Sequence, residues 1–573
     1  MAVFAAGLAV LAVKLKEIQV DDAADFNYEK SRQSVRRVQT AGPRGRILDR
    51  RGRVLAGNRR CVSISCRPSA FRKRTWDATA AAIAQAVSNA AAVVGRPSRL
   101  TARDIRRHVD TSLAVPLVAW SDIDEAALAR FSENEWRLEG FFASETEERS
   151  YPFGSLACHL IGYVGRERAT GDGGDQKFNF REMELCGRSG RELRYNGYLA
   201  GVPGERRVLV DARGFTEREW TVAPARRGPD LSLTLDVDIQ RAAEAQLAGC
   251  RGACVVLDPR DGSVLAFASA PGYDLRAFVP VLPHAVYDGL LKDPAKPLLN
   301  RASGGLYAPG STFKPVTALA GLRLGWPAEE EYECTGVYLC GEMKLRCSRR
   351  WGHGPVDMCG AIKSSCNTYF CNLGQDIGTN ALCTAARDFG FGSPTGVDFT
   401  DDKGGVVPDD AWKRRTYAER WYPGDLAQMS IGQGMLLVTP LQMAVAAGAI
   451  GTGWLAVPHV RSGETPVRKA LPFDRAHLDV VRRGMRMVVD GGTGVLAGSG
   501  VPVAVSGKTG TAEVGAGERR RKNTWFIAYA PADRPAAALA LLVEDGESGG
   551  GTAAPRAAEV LKAVFGGEVA GAR

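Results

Sequence analysis

The sequence predicts an α+β fold: an antiparallel sheet flanked by helices over residues 229–573, preceded by an elongated mixed α/β pedestal over residues 21–228. Three observations predict it. Strand-type patterns recur at both ends of the second segment with a long helical stretch between them, so first and last strands can meet in one sheet. Composition shifts at Arg226-Arg227-Gly228-Pro229, a charged turn-forming run that reads as a boundary. A chain of 573 residues also exceeds what one hydrophobic core usually organises.

Met1 to Val13 is apolar and is followed by Lys14, Leu15, Lys16 and Glu17. The run is shorter than the about 20 residues that span a bilayer. No basic segment precedes it and no small-residue cleavage site follows, so a signal peptide fits poorly. Its trailing lysines also run against the positive-inside rule for an outward-facing domain. We expect residues 1–20 to be the outer end of a truncated N-terminal membrane anchor; the competing reading is a short helix of the folded body.

Residues 21 to 42 are polar and uninformative. Arg46 to Leu48 and Arg53 to Ala56 flank a charged turn closed by Gly52, the pattern of a hairpin. Residues 77 to 93 and 121 to 131 are alanine-rich and helical. Tyr151-Pro152-Phe153-Gly154 reads as a turn and His159 to Val164 as a strand, with His159 structural because no ligand-spaced partner accompanies it. Residues 165 to 180 form a glycine-rich loop. Gly190 to Gly201 reads as a short helix and turn, and Val208 to Asp211 as a strand.

In the second segment Leu231 to Asp236 alternates like a strand and Val237 to Gly249 follows as a helix. Ala253 to Leu257 and Ser263 to Ala268 are strands joined by the tight turn Asp258-Pro259-Arg260-Asp261-Gly262. Val501 to Gly507, Thr524 to Tyr529 and Ala537 to Val543 close the sheet, with a charged loop over Glu518 to Lys522.

Composition is that of a globular protein, 45% hydrophobic and 24% charged, which excludes dominant disorder. The net charge of +10 suits anionic lipid or polymer surfaces. Nucleic acid is excluded as a partner for want of any binding motif or aromatic-basic repeat. The 13 cysteines are odd in number and cannot all pair within the chain. Cys334, Cys340, Cys347 and Cys359 crowd together, but their spacings do not match a paired C-x-x-C zinc site. Disulfides would suit an extracytoplasmic location, and buried thiols also serve as small hydrophobes.

The chemistry-bearing stretch is Ala308-Pro309-Gly310-Ser311-Thr312-Phe313-Lys314-Pro315. Pro309-Gly310 makes a turn, Ser311 falls at a helix start, and Pro315 is tolerated in a first turn. Residues i and i+3 share a helix face, so Lys314 lies beside Ser311. The run Val316 to Leu322 is apolar nearly all round, hence buried. A desolvated lysine loses its proton more readily and can deprotonate a neighbouring hydroxyl. Alone, Ser-x-x-Lys also fits a capping serine and a surface lysine. Two further motifs follow. Ser365-Cys366-Asn367 brings a hydroxyl and an amide to a common side if it is a turn. Lys508-Thr509-Gly510-Thr511 closes a strand: a cation for a carboxylate, hydroxyls to hydrogen-bond, and a glycine where substrate backbone would lie.

Ser-x-x-Lys, Ser-x-Asn and Lys-Thr-Gly in this order resemble the penicillin-recognising serine acyl transferases. Pro43-Arg44-Gly45, Asp49-Arg50-Arg51-Gly52, Tyr151-Pro152 to Tyr163 and Gly190-Arg191-Glu192 to Gly201 are similar to the non-catalytic half of class B penicillin-binding proteins. Leu298 to Ala302, Trp421 to Asp425, Ile431 to Gly434 and Thr439 to Gln442 resemble the elongation-type subgroup. Arg51 stands where the family usually has asparagine, and the cysteine load is unusual. The resemblance covers most of residues 40 to 550. It implies a penicillin-binding/serine beta-lactamase-like transpeptidase domain that cross-links peptidoglycan stem peptides and is acylated by beta-lactam antibiotics. Ser311 would be nucleophile, Lys314 base, Ser365 and Asn367 proton relay and donor positioning, and Lys508, Thr509, Gly510 and Thr511 the carboxylate-binding strand. It implies no metal and no cofactor. The implied partner is a polytopic membrane glycosyltransferase of the elongation or division machinery, with the catalytic domain held outside the cytoplasmic membrane. A D,D-carboxypeptidase, a beta-lactamase-like hydrolase and a non-catalytic penicillin sensor share the motifs and remain the alternatives.

Overall fold

The computed structural model describes residues 2–21, 34–168, 179–280, 282–515 and 521–570. Most of the glycine-rich loop expected over 165–180, and residues 518–520 of the expected charged loop, lie outside the described residues. The helix Ala2–Lys16 runs into a wide turn at Glu17–Asp21. Among the described helices none is long and apolar enough to cross a membrane.

The pedestal is built mainly on two larger sheets, with a two-stranded ribbon of Val164–Arg168 and Met183–Gly187 beside them. Val35–Thr40 pairs antiparallel with Gly204–Val210 and parallel with Asn179–Arg181, and Thr216–Ala223 adds a fourth strand. The second sheet centres on Val54–Cys66, which pairs with Ile47–Leu48, Leu117–Ile123 and Phe141–Ser150. The expected hairpin is there because Asp49 accepts from the backbone N–H groups of Arg51 and Arg53 at 2.9 and 2.8 Å. Gly52 at φ +79° then closes the turn. The helix Trp76–Val94 is capped by Thr75 and stopped by Gly95 in the left-handed region, and buries Ile83, Val87, Ala90 and Val94.

The strand expected over His159 to Val164 is instead a short helix, Cys158–Ile161, with a strand starting at Val164. Ala157 in the left-handed region and Gly162 bend the chain at both ends, so extended backbone cannot run through. His159 is structural, as expected: its Nε2–H donates to the Pro297 carbonyl at 2.7 Å, and burial pushes the imidazole down to about 4.

Charged side chains seam the two halves. Arg44 and Arg149 both pair with Glu192 at 2.7 Å, all three buried. Arg51 and Arg53 reach Asp236 and Asp238 at the entry to the second domain. Arg191 stacks on Phe399 and pairs with Asp398.

In the second domain five strands form one antiparallel sheet: β1 (Gly252–Leu257), β2 (Val264–Ala270), β3 (Ser506–Val514), β4 (Arg521–Ala530) and β5 (Ala537–Val543), in the order β2-β1-β5-β4-β3. The first and last strands do meet, since β1 lies between β2 and β5. Helices α1 (Val237–Gln246) and α7 (Ala554–Ala570) bury Ile239, Ala243, Val560 and Leu561 against one face. On the other face pack α2 (Lys314–Arg323), α3 (Met358–Ser364), α4 (Asn367–Asp388), α5 (Pro440–Thr452) and α6 (Arg475–Gly491).

Two strand expectations move. Only Leu231–Ser232 is a strand, because Asp236 already caps α1 by accepting from the Asp238 N–H. Val501 to Val505 is irregular and the strand begins at Ser506. Pro502 has no N–H for a ladder, and the partner strand β4 ends at Ala530, with Ser506 opposite Tyr529. Lys508, Thr509 and Gly510 therefore sit inside β3 rather than at its end.

Candidate active site

The Ser311 turn is a 3-10 turn, Gly310–Phe313, that feeds directly into α2. The Lys314 backbone N–H donates to the Ser311 carbonyl, the i+3 bond of such a turn. Ser311 is therefore not the cap of the α-helix. Its turn is clamped from several sides. The Gly310 N–H donates to the Gly432 carbonyl at 2.8 Å, Thr312 Oγ1 to the Pro309 carbonyl at 2.7 Å, and Trp525 Nε1 to the Ala308 carbonyl at 3.0 Å. Gly310 has φ +56°, and a Cβ there would lie 2.9 Å from the Thr511 carbonyl oxygen. The turn thus needs glycine for both its backbone conformation and its approach to β3.

Lys314 is fully buried. Its Nζ donates to the Ser365 carbonyl at 2.7 Å, to Ser365 Oγ at 3.3 Å and to Asn367 Oδ1 at 2.6 Å. Burial pulls its pKa down to about 8. The first two motifs thereby meet around one amine. Ser365 and Asn367 can face it together because Ser365 ends α3 at φ +57° and α4 starts at Asn367. The expected turn is real, and it is a strained one for a non-glycine residue. Asn367 is oriented from behind: its Nδ2 donates to the Arg346 carbonyl at 2.7 Å, which leaves Oδ1 for the lysine.

The third motif forms the opposite wall. Lys508 is fully buried, its Nζ donating to the Thr509 carbonyl at 3.1 Å. Burial, reinforced by the Lys314 cation, holds it well below the ordinary lysine range. Thr509 is buried with its hydroxyl 2.6 Å from that of Thr493. Thr511 Oγ1 accepts from the Gly549 N–H at 3.2 Å and its carbonyl from Gln433 Nε2 at 3.3 Å. Gly510 also has a packing reason to lack a side chain. A Cβ there would fall 2.8 Å from Thr312 Cγ2 and 2.9 Å from the Pro309 carbonyl. The missing side chain makes room for the Ser311 turn.

Sequence spacing argued against a metal site, yet the fold brings a candidate donor set together. Cys334, Cys347, His353 and Cys366 converge, with their ligand atoms all within 4.8 Å of one another. Spacing does not show the convergence because the four come from a strand end, both sides of one loop, and the cap of α4. Cys340 and Cys359, which looked part of the group, lie apart, and none of the 13 cysteines forms a disulfide. His353 Nδ1 lies 3.5 Å from both Cys334 Sγ and Cys347 Sγ. The Cys347 and Cys366 sulfurs are in contact at 3.8 Å and Cys347 accepts from the Asn367 N–H at 3.2 Å; the Cys366 contact, then the N–H, pull Cys347 well below the usual thiol range. Three thiols and an imidazole are the donor set of a tetrahedral structural zinc site. The available signal was a cysteine between Ser365 and Asn367, inside the second motif.

Residues 252–562 match the family described as Penicillin binding protein transpeptidase domain, and residues 39–233 match the Penicillin-binding Protein dimerisation domain. The chain is 32% identical over 577 residues to the peptidoglycan D,D-transpeptidase MrdA of Escherichia coli, covering 94% of this chain and 89% of that protein. Its identity to MrdA of Acinetobacter baumannii is 34% over 595 residues, covering 97% and 85%. Among solved structures it is similar to the penicillin-binding protein PBP2 in complex with MreC from Helicobacter pylori, with a TM-score of 0.78, 28% identity, and coverage of 93% of this chain and 99% of that one. It is also similar to a chain of a peptidoglycan synthase complex that coordinates polymerization and crosslinking, with a TM-score of 0.74, 29% identity, and coverage of 99% and 97%.

Proposed function

The chain belongs to the class B penicillin-binding proteins of the MrdA type, the peptidoglycan D,D-transpeptidases of elongation, and we propose that Ser311 is its nucleophile. One observation carries the assignment: a buried Lys314 amine, one short turn from Ser311, is shared by Ser365 and Asn367. With its pKa near 8, a substantial fraction of Lys314 is neutral near physiological pH and available as a base.

Ser311 Oγ attacks the carbonyl of the penultimate D-alanine of a stem peptide while Lys314 Nζ takes the hydroxyl proton. Ser365 Oγ passes that proton to the departing D-alanine nitrogen, and Asn367 holds the donor peptide. The amine of a second stem then attacks the acyl-enzyme, forming the cross-link and returning the proton to Ser311 through the same relay. Lys508, Thr509 and Thr511 receive the terminal carboxylate. A carboxylate entering beside Lys508 restores the charge that burial disfavours. The Ser311 and Thr511 backbone N–H groups serve as the oxyanion hole.

Cys334, Cys347, His353 and Cys366 would hold a zinc ion. When bound, it supplies charge neutralisation for the clustered thiolates and a brace for the Ser365-to-Asn367 turn. Residues 1–20 are read as the outer end of a membrane anchor that keeps the catalytic domain outside the cytoplasmic membrane. The pedestal is read as the contact surface for elongation-machinery partners, including a polytopic glycosyltransferase; the Helicobacter pylori relative is solved with MreC.

Labelling by a fluorescent penicillin tests the nucleophile. Ser311→Ala is expected to abolish the label, with mass spectrometry placing the wild-type adduct on Ser311; a label that survives the substitution refutes the assignment.

A further inference from the structure

Thr493 lies in the turn Gly491-Gly492-Thr493-Gly494 that ends α6, outside all three motifs. Its Oγ1 is 2.6 Å from Thr509 Oγ1. Its backbone N–H is directed at the Lys363 carbonyl at 3.4 Å, two residues before Ser365. The turn is also closely packed. A Cβ on Gly550 would fall 2.5 Å from the Thr493 carbonyl oxygen. A Cβ on Gly494 would meet Phe526 and Val488 at 3.0 Å and Thr509 Cγ2 at 3.5 Å. Thr493 thus stands where α3, β3 and the Gly549–Ala553 turn converge, and it touches the two catalytic walls at once.

Two hydroxyls in hydrogen-bond contact share one of their two protons, so one hydroxyl donates inward and the other keeps its proton for a third group. A carboxylate accepts and never donates. Thr509 can serve it only if its own oxygen accepts from Thr493. We propose that Thr493 donates to Thr509 Oγ1, directing the Thr509 O–H at the terminal carboxylate, and so acts as a positioning residue that sets selectivity for acyl donors ending in a free carboxylate. The proposal rests on the reading above that Thr509 receives that carboxylate.

The test uses the full chain with benzylpenicillin and its C3 methyl ester, which differ only at that carboxylate, and reads the second-order rate of Ser311 acylation. Thr493→Val is expected to slow the free acid about tenfold, the scale of one hydrogen bond to a charged group, and to leave the ester within about twofold. Thr493→Ser, which keeps the hydroxyl, is expected to restore the acid rate. Equal losses on acid and ester, no loss on either, or a serine variant as slow as the valine one would overturn the proposal. Should the valine variant fail to fold, Thr493→Ala replaces it in the same comparison. Thr509→Val separates the two layers. If it loses no preference for the acid, the carboxylate assignment itself fails. If it does and the Thr493 variants do not, only the positioning role fails.

Discussion

Asn367→Asp changes one nitrogen to oxygen and should disable the base while leaving the fold. The wild-type amide accepts from Lys314 Nζ at 2.6 Å, and the lysine titrates near 8 because burial outweighs its polar contacts. At pH 7.5 about a quarter of the amine is then neutral. A carboxylate at the same distance favours the ammonium and raises the lysine toward or beyond its ordinary 10.5. The neutral fraction at pH 7.5 falls to about one in a thousand, so acylation should slow by roughly 100-fold or more. The sign is definite: activity rises with pH through the lysine pKa, so the rising limb of the acylation profile should move from near 8 to above 10. The substitution also turns an oxygen toward the Arg346 carbonyl, which accepts from Asn367 Nδ2 at 2.7 Å. That loss costs about 1–3 kcal/mol of stability, visible as a lower thermal midpoint, and does not shift the profile. The assay is the second-order rate of penicillin acylation from pH 6 to 10.5. A limb that stays near 8, or a rate at pH 7.5 within about threefold of wild type, would refute the role of Lys314 as base.

Two further outcomes follow from other parts of the molecule. Metal analysis of the purified full chain is expected to find about one zinc per chain, with Cys366→Ser reducing retention on dialysis against a chelator by roughly 10-fold or more; a wild-type chain that retains none excludes the Cys334, Cys347, His353 and Cys366 site. In the pedestal, Glu192→Gln leaves the buried guanidinium groups of Arg44 and Arg149 without their counter-charge, each now paired at 2.7 Å. Loss of about 3–5 kcal/mol in denaturant unfolding is expected, and a change below about 1 kcal/mol would show that water or other groups compensate the arginines.

Much of the architecture was legible because local pattern and burial agree. Ala537 to Val543 reads as a buried strand and is β5, with all seven residues buried. Asp49 and Gly52 announce the hairpin they form. Errors arose where neighbours decide the backbone. The alternation of Val501 to Val505 suits a strand, but no partner strand extends alongside it. His159 to Val164 has strand-forming residues, yet the bends at Ala157 and Gly162 leave room only for a helical turn. In the site, the three motifs named its walls, while the hydrogen bonds that join them came from the fold. Gly510 also gives clearance to the Ser311 turn, a close approach that motif spacing does not show. Thr493 carried no signal because its importance lies in a contact with Thr509 across the end of a helix.

By itself the sequence determined the chemistry: which hydroxyl, which amines and which amide are present, and in what order, because motif identity is a property of short stretches. It also determined that strands at the two ends of the catalytic segment could share a sheet, because alternation and apolar runs are local. Only the tertiary structure decided that Lys314 gives its hydrogen bonds to Ser365 and Asn367, that burial lowers it to about 8, and that three thiols and an imidazole converge behind the second motif. The physical reason is that desolvation and through-space contact depend on what the whole chain packs around a group, and spacing along the chain carries no measure of either.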